Sequence, residues 1–533
     1  MTARFDSIDY LVLVVYFLGT IGIGFWFWRR GKSTSEQFTS GGRNLSGWLC
    51  GLSIFATFLS SITFLALPGM AFTGDWNFFV FSLSIPVAAW VAARWFLPYY
   101  RQNQDASAYS MLERRFGLWA RWTASVLFIA VQIARMSFVS YLMALPLAII
   151  FSWDIRLLIV LTGLVVILYA AFGGIVAVIW ADAIQAVVLS VGALVALGMI
   201  VNGLPHGFSD VWQAANEQHT SKFSLGTFDL RTWTGSAFWL VLSYGLFENL
   251  RNFGVDQNYI QRYVSANPKD AVWSLWFGAL LYVPISALFL LIGTSLFVFY
   301  QHHPNDLQEV RQIVERQQQV ANGAIPSKAP SDAGEDRSES TAQKPEVKLG
   351  DRVFPHYIAK YLPPGIKGLL IAAIFSAAMS TISTSLNSIA TIVLSDFYLR
   401  VWRPNATDQQ QLLLLRFVTV IAGLASIGGA IALVSLSGSA LDAWWTISSV
   451  LGTGVLGLFL LGRLVSSADQ FDAVVGLVVG LDVVAALMLA QEWVWGEVRF
   501  DLKLSIVFGT ISVILGGLAS CLARKQLGSR SIY

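Results

Sequence analysis

Hydroxyl and charged side chains inside long apolar runs are the residues equipped for chemistry here, because a bilayer interior makes each of them costly to keep. One patch runs Ile54-Phe-Ala-Thr-Phe-Leu-Ser-Ser-Ile-Thr-Phe64 and is followed by Pro68-Gly69. Four hydroxyls ahead of a helix breaker suit an unwound segment whose freed carbonyls line a cavity. The alternative is a plain helix whose Ser and Thr bond back to their own carbonyls. A second patch is Ser376-Ala-Ala-Met-Ser-Thr-Ile-Ser-Thr384. At 100° per residue, Ala377, Ser380, Thr381 and Thr384 share one face, with Ser376, Ser380 and Ser383 on an adjoining stripe. Such a stripe of oxygens can complete a site for a small hard cation, or can pack closely as small residues do between membrane helices. Isolated charges form the third group: Arg135, Asp182, Glu248, Arg251 and Asp482. A guanidinium in mid-span needs a carboxylate, either carried by an anionic solute or fixed in the protein, with Glu248 the fixed candidate. Asp182 follows Trp180-Ala181 near a span end, where a solvated interfacial aspartate is the bland alternative.

The elements that must position these groups follow from composition. Of 533 residues, 55% are hydrophobic and 13% charged, against about 25% charged in soluble proteins. Apolar runs near 20 residues recur along the chain, each enough to cross roughly 30 Å of hydrocarbon. The expectation is an all-α polytopic membrane protein with about thirteen spans: 9–28, 46–73, 77–98, 122–151, 156–174, 176–202, 233–256, 271–300, 363–396, 411–436, 441–464, 472–490 and 504–522. A net charge of +3 leaves no basic face for nucleic acid. Cys50 and Cys521, far apart in apolar stretches, read as packing residues.

Lys and Arg concentrate in alternate loops, after the first, third, seventh and ninth spans, where Arg262 is counted among them. By the positive-inside rule this places the N-terminus outside and the C-terminus inside a cytoplasmic (plasma or inner) membrane. The polar stretch 301–352, with QQQ and a Ser/Asp/Glu-rich run, reads as a disordered outward-facing insertion. No HExxH, GxSxG or His-rich constellation falls in the spans, which argues against an enzyme.

Spans two to six and seven to eleven are two sets of five, and an odd number inverts the second relative to the first. The expected organisation is an extra N-terminal helix and loop over 1–45, a first repeat over 46–204, an outer loop over 205–232, a second repeat over 233–464, and two further helices over 465–533. The first helix of each set carries an interruption, Ser60-Ser61 with Pro68-Gly69 in one and Ser243-Tyr244-Gly245 in the other. Paired broken helices point to a midplane binding site.

With these features the chain resembles the sodium/solute symporter family that includes the sodium–glucose cotransporters. The resemblance covers about Asp9 to Arg463 without the insertion. It is carried by Gly41-Gly-Arg-Asn-Leu-Ser-Gly-Trp48, Phe55 to Gly69, Asp256-Gln-Asn-Tyr-Ile-Gln-Arg-Tyr263, Ala377-Ala-Met-Ser-Thr-Ile-Ser-Thr-Ser-Leu-Asn-Ser388 and Leu456-Gly-Leu-Phe-Leu-Leu-Gly462. It implies a LeuT-type inverted five-helix repeat and a sodium site made by the carbonyls of Ala56, Leu59 and Ala377 and the hydroxyls of Ser380 and Thr381. Some members hold a second sodium ion, and Asp182, Ser380, Ser383 and Thr384 match that pattern.

For the solute, the resemblance to sialic-acid transporters implies a carboxylate held by Ser60, Thr63 and Arg135, with Phe78 as the outer gate. Ser82 stands where those members tend to have glutamine, and Asn249 matches a solute-contacting asparagine of the hexose group. The hexose members' lysine is missing from Ala279-Leu-Leu-Tyr-Val-Pro284, and their aromatic inner gate is Asn252 here. The expected activity is sodium-coupled import of a small organic anion such as sialic acid or another carboxylate by alternating access. The alternatives are a sodium-coupled sugar or polyol symporter and a passive ion channel. The expected partners are sodium, the solute and lipid, with no obligate protein partner.

Overall fold

A computed structural model describes residues 5–30, 34–103, 105–151, 153–217, 221–230, 237–321, 345–434, 440–490 and 501–530. They form an all-helical bundle with no named strand among the described residues. The helices that position the site are α1 (Ser7–Arg30), α2 (Gly47–Phe58), α3 (Ser61–Thr73), α4 (Phe79–Asn103), α5 (Leu118–Phe151), α6 (Ile155–Asn202), α7 (Phe238–Val255) and α8 (Gln257–Ser265). They continue with α9 (Ala271–His302), α10 (Pro304–Ala321), α11 (Pro345–Tyr361), α12 (Ile366–Trp402), α13 (Asp408–Val434), α14 (Ala440–Leu464), α15 (Gln470–Ala490) and α16 (Ser505–Arg530). Nine helices among the described residues are long and apolar enough to cross a membrane, ten when the bent pair α2–α3 is taken as one span.

At 48 residues, α6 would be roughly 72 Å long if straight, more than twice a bilayer core. It is divided at Gly174, whose backbone (φ 57°, ψ −157°) only glycine adopts readily. This is where the expected spans 156–174 and 176–202 meet. A Cβ at Gly174 would also lie 2.8 Å from the Phe38 Cα. Gly174→Ala is therefore expected to cost roughly 1–3 kcal/mol, read as a lower Tm of the purified protein.

Both first-of-five helices are broken, the first at the expected Ser60-Ser61 and the second away from its expected place. The α2–α3 break bends the chain by 54° at Leu59 (φ −85°, ψ 119°) and Ser60 (φ −121°, ψ 168°), and the Ser60 hydroxyl caps α3 by accepting the Thr63 N–H at 3.3 Å. Pro68 lies inside α3, and Gly69 serves close packing, since its Cβ would meet the Gly350 carbonyl carbon at 2.7 Å. In the second half, α7 runs unbroken through Ser243-Tyr244-Gly245, and a Cβ at Gly245 would meet Ser84 Oγ at 2.8 Å. The break falls at Asp256 (φ −84°, ψ 117°), whose carboxylate accepts the Asn258 N–H at 2.8 Å and starts α8. Capping side chains, which satisfy orphan amides, mark both breaks; the glycines mark close approaches instead.

The most enclosed element is α12, buried at almost every position from Lys367 to Ile392 and packed along α6. By contrast α1 exposes Leu11, Val14, Val15 and Leu18, and α15 exposes Val478, Leu481 and Leu489, the faces a bilayer would cover. The disorder expected over 301–352 does not hold at its two ends. There α10 and α11 are helices joined by Lys360 to Asp306 (2.7 Å) and Glu309 (2.8 Å). Helical spacing puts Leu349, Val353, Tyr357 on one buried stripe of α11 with Phe354 and Ile358 beside it, a pattern that the polar average of the segment hides. Residues 322–344 lie outside the described residues.

Candidate functional site

Breaking two helices frees backbone carbonyls, because the last turn of each has no intrahelical partner. Thr57 shows the result. Its carbonyl, in the final turn of α2, accepts from Arg135 Nη2 and from Tyr259 Oη, each at 3.4 Å. Around this point lies a cavity of about 170 Å³ between the two breaks, lined from α2–α3 by Phe58, Ser60 and Thr63, from α5 by Gln132 and Arg135, and from α7–α8 by Glu248, Arg251, Asn252, Asp256 and Tyr259. Ser60 and Thr63 share a hydroxyl–hydroxyl hydrogen bond of 3.3 Å.

Arg135 is half-buried, and among the described residues it forms no ion pair. The alternative of a fixed bridge to Glu248 is not realised, because Glu248 pairs with Arg251 one turn along the same helix. Arg135 thus lines a cavity with room for a carboxylate, with no acidic side chain bonded to it among the described residues. Phe78 lines the cavity and stacks on Phe81 with ring centroids 5.4 Å apart. Ser82 and Asn249 are not on the cavity wall: both are buried, and the Asn249 amide donates to Ser84 Oγ at 3.0 Å.

The two oxygen-rich patches come together behind the cavity, where α2 and α12 pack against each other. Ala56 and Leu59 stand at the end of α2, and Leu59 is the extended residue of the break. Across from them, Thr381 Oγ1 donates to the Ala377 carbonyl at 3.2 Å and Ser380 Oγ donates to Asp182 Oδ1 at 2.8 Å. These are hard, mostly neutral oxygens, the donor chemistry that suits a small monovalent cation. Among the described residues no group of three His, Cys, Asp or Glu side chains forms a cluster fit for a softer or more highly charged metal.

Asp182 is fully buried, not solvated at an interface. Its carboxylate accepts from Ser53 Oγ (2.6 Å), Ser380 Oγ (2.8 Å) and Arg262 Nη2 (2.9 Å). Arg262 is fully buried too. It also donates to Ser53 Oγ (2.7 Å), to the Asn258 carbonyl (2.6 Å) and to Thr384 Oγ1, while Ser383 Oγ donates to the Ser380 carbonyl at 3.2 Å. Counting Arg262 as a loop charge is thus corrected. It follows a helix restart at Asp256 and points back into the bundle, and the motif Asp256-Gln-Asn-Tyr-Ile-Gln-Arg262 was the available signal.

Gln132, one turn from Arg135 on the same face, carries no signal in the sequence beyond that spacing. Its Oε1 accepts from Ser385 Oγ at 2.8 Å and ties α5 to α12. Tyr282, in the α9 stretch Ala279–Pro284, forms part of the cavity wall.

The sodium:solute symporter family model matches residues 38–330 and 337–480. A sodium/sialic acid symporter, NanT, of Aliivibrio fischeri is 31% identical over 99% of this chain and 96% of its own length. SiaT of Proteus mirabilis, also a sodium/sialic acid symporter, is 32% identical over 96% and 94%. The solved substrate-bound, outward-open state of a Na+-coupled sialic acid symporter superposes with a TM-score of 0.83 at 31% identity, covering 98% of each chain. Mhp1, a nucleobase-cation-symport-1 family transporter, superposes with a TM-score of 0.51 at 13% identity over 91% of this chain and 95% of its own, a likeness of fold alone. The architecture is the LeuT-type one, and the protein is a multi-pass membrane transporter, not an enzyme. On the broken helix pairs, the oxygen-lined face of α12 and these matches together, the chain belongs to the sodium:solute symporter family.

Proposed function

We propose that the protein imports a small organic anion, such as a sialic acid or a similar carboxylate, driven by inward sodium flow. The observation that carries this reading is Arg135, a guanidinium in the cavity between the two helix breaks with no ion-pair partner among the described residues. Ser60 and Thr63 would complete the carboxylate site and Phe78 would close it, with Ser82 and Asn249 shaping the wall from behind. A neutral sugar or polyol would leave the Arg135 guanidinium without a directly bonded carboxylate, which disfavours that alternative.

The first sodium site in this reading uses the carbonyls of Ala56, Leu59 and Ala377 with the hydroxyls of Ser380 and Thr381. The second uses Asp182, Ser380, Ser383 and Thr384. An ion bridging the end of α2 to α12 favours the conformation in which the broken segments are held together, so sodium raises the population able to bind solute; this is coupling by differential affinity. Rocking of one set of helices against the other then releases both. The reading includes thirteen spans in a cytoplasmic membrane, the N-terminus outside and the C-terminus inside, and no obligate protein partner.

Calorimetric binding in sodium versus potassium, with sialic acid, short monocarboxylates, glucose and galactose, tests the assignment. Sodium-dependent binding of an acid and of no sugar is the expected result; binding of a sugar alone would overturn the anion assignment. Ser380→Ala is expected to weaken sodium activation of uptake by roughly tenfold or more, the scale of one lost hydrogen bond to a charged group, with a smaller change in solute affinity at saturating sodium. Unchanged sodium activation would remove Ser380 from the ion site.

A further inference from the structure

The C-terminal end of α3 is held by a side chain from the loop that joins the two halves. Lys222 is 5% exposed, and its Nζ donates to the carbonyls of Phe72 (2.8 Å), Gly74 (2.8 Å) and Ala71 (3.3 Å). Its ammonium also sits 4.0 Å from the ring centroid of Phe297 on α9. Burial pushes the amine down from the ordinary lysine value to about 8, with Asp75 acting in the opposite direction. Three donors meet three carbonyls at a helix end, where the last turn has no amide partners and the helix dipole favours a cation.

The surrounding contacts extend this clamp. Trp76 Nε1 donates to Thr294 Oγ1 on α9 at 3.0 Å, and its ring lies 5.0 Å from that of Phe223. Asn77 Nδ2 donates to the Leu225 carbonyl at 2.8 Å. The end of α3, residues 222–225 and α9 are therefore joined at several points. At its other end α3 begins with Ser60 as its cap and carries Thr63 in its first turn, both on the cavity wall. A 13-residue helix is a rod of roughly 20 Å, so a tilt permitted at one end displaces the residues at the other.

We infer that Lys222 is a positioning residue for solute binding: its ammonium fixes the outer end of α3 to the 222–225 loop and α9, and thereby holds Ser60 and Thr63 in place in the cavity. The consequence for affinity rests on the proposed symport function, whereas the clamp itself does not.

The experiment compares wild type with Lys222→Met in two measurements: sodium-driven uptake of sialic acid into proteoliposomes, and amide hydrogen exchange over residues 61–76 in the purified full-length protein. The expected result is a KM raised roughly tenfold, the scale of a partly buried cation lost from a helix terminus, with kcat within about twofold and faster exchange confined to 61–76. Unchanged KM and unchanged exchange would overturn the inference. So would a lower kcat with unchanged KM and exchange, because that means fewer folded copies rather than a displaced site. If Lys222→Met does not reach the membrane, Lys222→Gln, which keeps two donors without the charge, takes its place with the same criteria. Absence of uptake by the wild type would fail the symport reading alone, and the exchange data would still decide for or against the clamp.

Discussion

Replacing Arg135 with alanine is expected to abolish uptake of the organic anion, with kcat/KM reduced by roughly two orders of magnitude or more, while sodium binding to the protein persists. A paired, desolvated carboxylate that loses its partner costs roughly 3–5 kcal/mol, because the remaining charge stays buried and uncompensated. The walls of this cavity sharpen the effect. Arg251 and Lys503 also line it, but they are already committed to Glu248 and Asp501, so among the described residues the alanine variant leaves the solute carboxylate no guanidinium to pair with in the cavity. Arg135→Lys retains the charge without the planar fork, and its loss should be intermediate. Sodium binding should survive because the residues assigned to the ion lie on α2, α6 and α12, whereas Arg135 is on α5 and donates to the Thr57 carbonyl. Uptake under a sodium gradient together with a sodium-induced shift of Tm separates the two functions. Retained anion affinity in Arg135→Ala would remove the carboxylate clamp from the mechanism.

Much of this site could be read from residue types, and what could not has identifiable physical causes. Hydroxyl periodicity placed Ser380, Ser383 and Thr384 on adjoining stripes of one helix, and α12 carries them buried, because a long run of small and hydroxyl residues can only be accommodated by close neighbours. One helix break was legible in position and the other only in kind. The chain leaves the first helix at Leu59–Ser60, beside the expected Ser60-Ser61, but passes through Pro68-Gly69 and Gly245 as helix and breaks the second time at Asp256; at both breaks a side-chain oxygen caps the restarting helix. At Gly69 and Gly245 the missing side chain permits helix contact instead. Charge counting misjudged Arg262 for a related reason. A broken helix returns polar residues from its far end to the interior, and a reading by loop position has no means of seeing that the second half-helix packs inside. Asn249 and Ser82 were equally hard to place, since one step of register on α4 or α7 decides between cavity wall and the Ser84 side of the interface.

The buried pair formed by Asp182 and Arg262 carries the second large prediction. Arg262→Met is expected to destabilise the protein by roughly 3–5 kcal/mol, because Asp182 would remain charged with only hydroxyl donors around it. Asp182→Asn should be destabilising as well, since it leaves Arg262 without its counter-charge. The double variant Asp182→Asn/Arg262→Met should be distinctly more stable than the sum of the two losses, because removing both charges also removes the desolvation that each imposed. This coupling has a structural reach that a surface pair lacks. Through Ser53 on α2, Asn258 on α8, Asp182 on α6 and Thr384 on α12, the guanidinium ties both broken helices to the two longest buried elements. Sodium gives a further discriminating readout: with Asp182 among the proposed ion ligands, the cation can take over part of the compensation in Arg262→Met. The sodium-induced rise in Tm should therefore be larger in Arg262→Met than in wild type, and should shrink when Asp182→Asn is added. Additive losses in the two single variants, with a sodium effect indifferent to Asp182, would show that the pair is not the junction between the ion site and the broken helices.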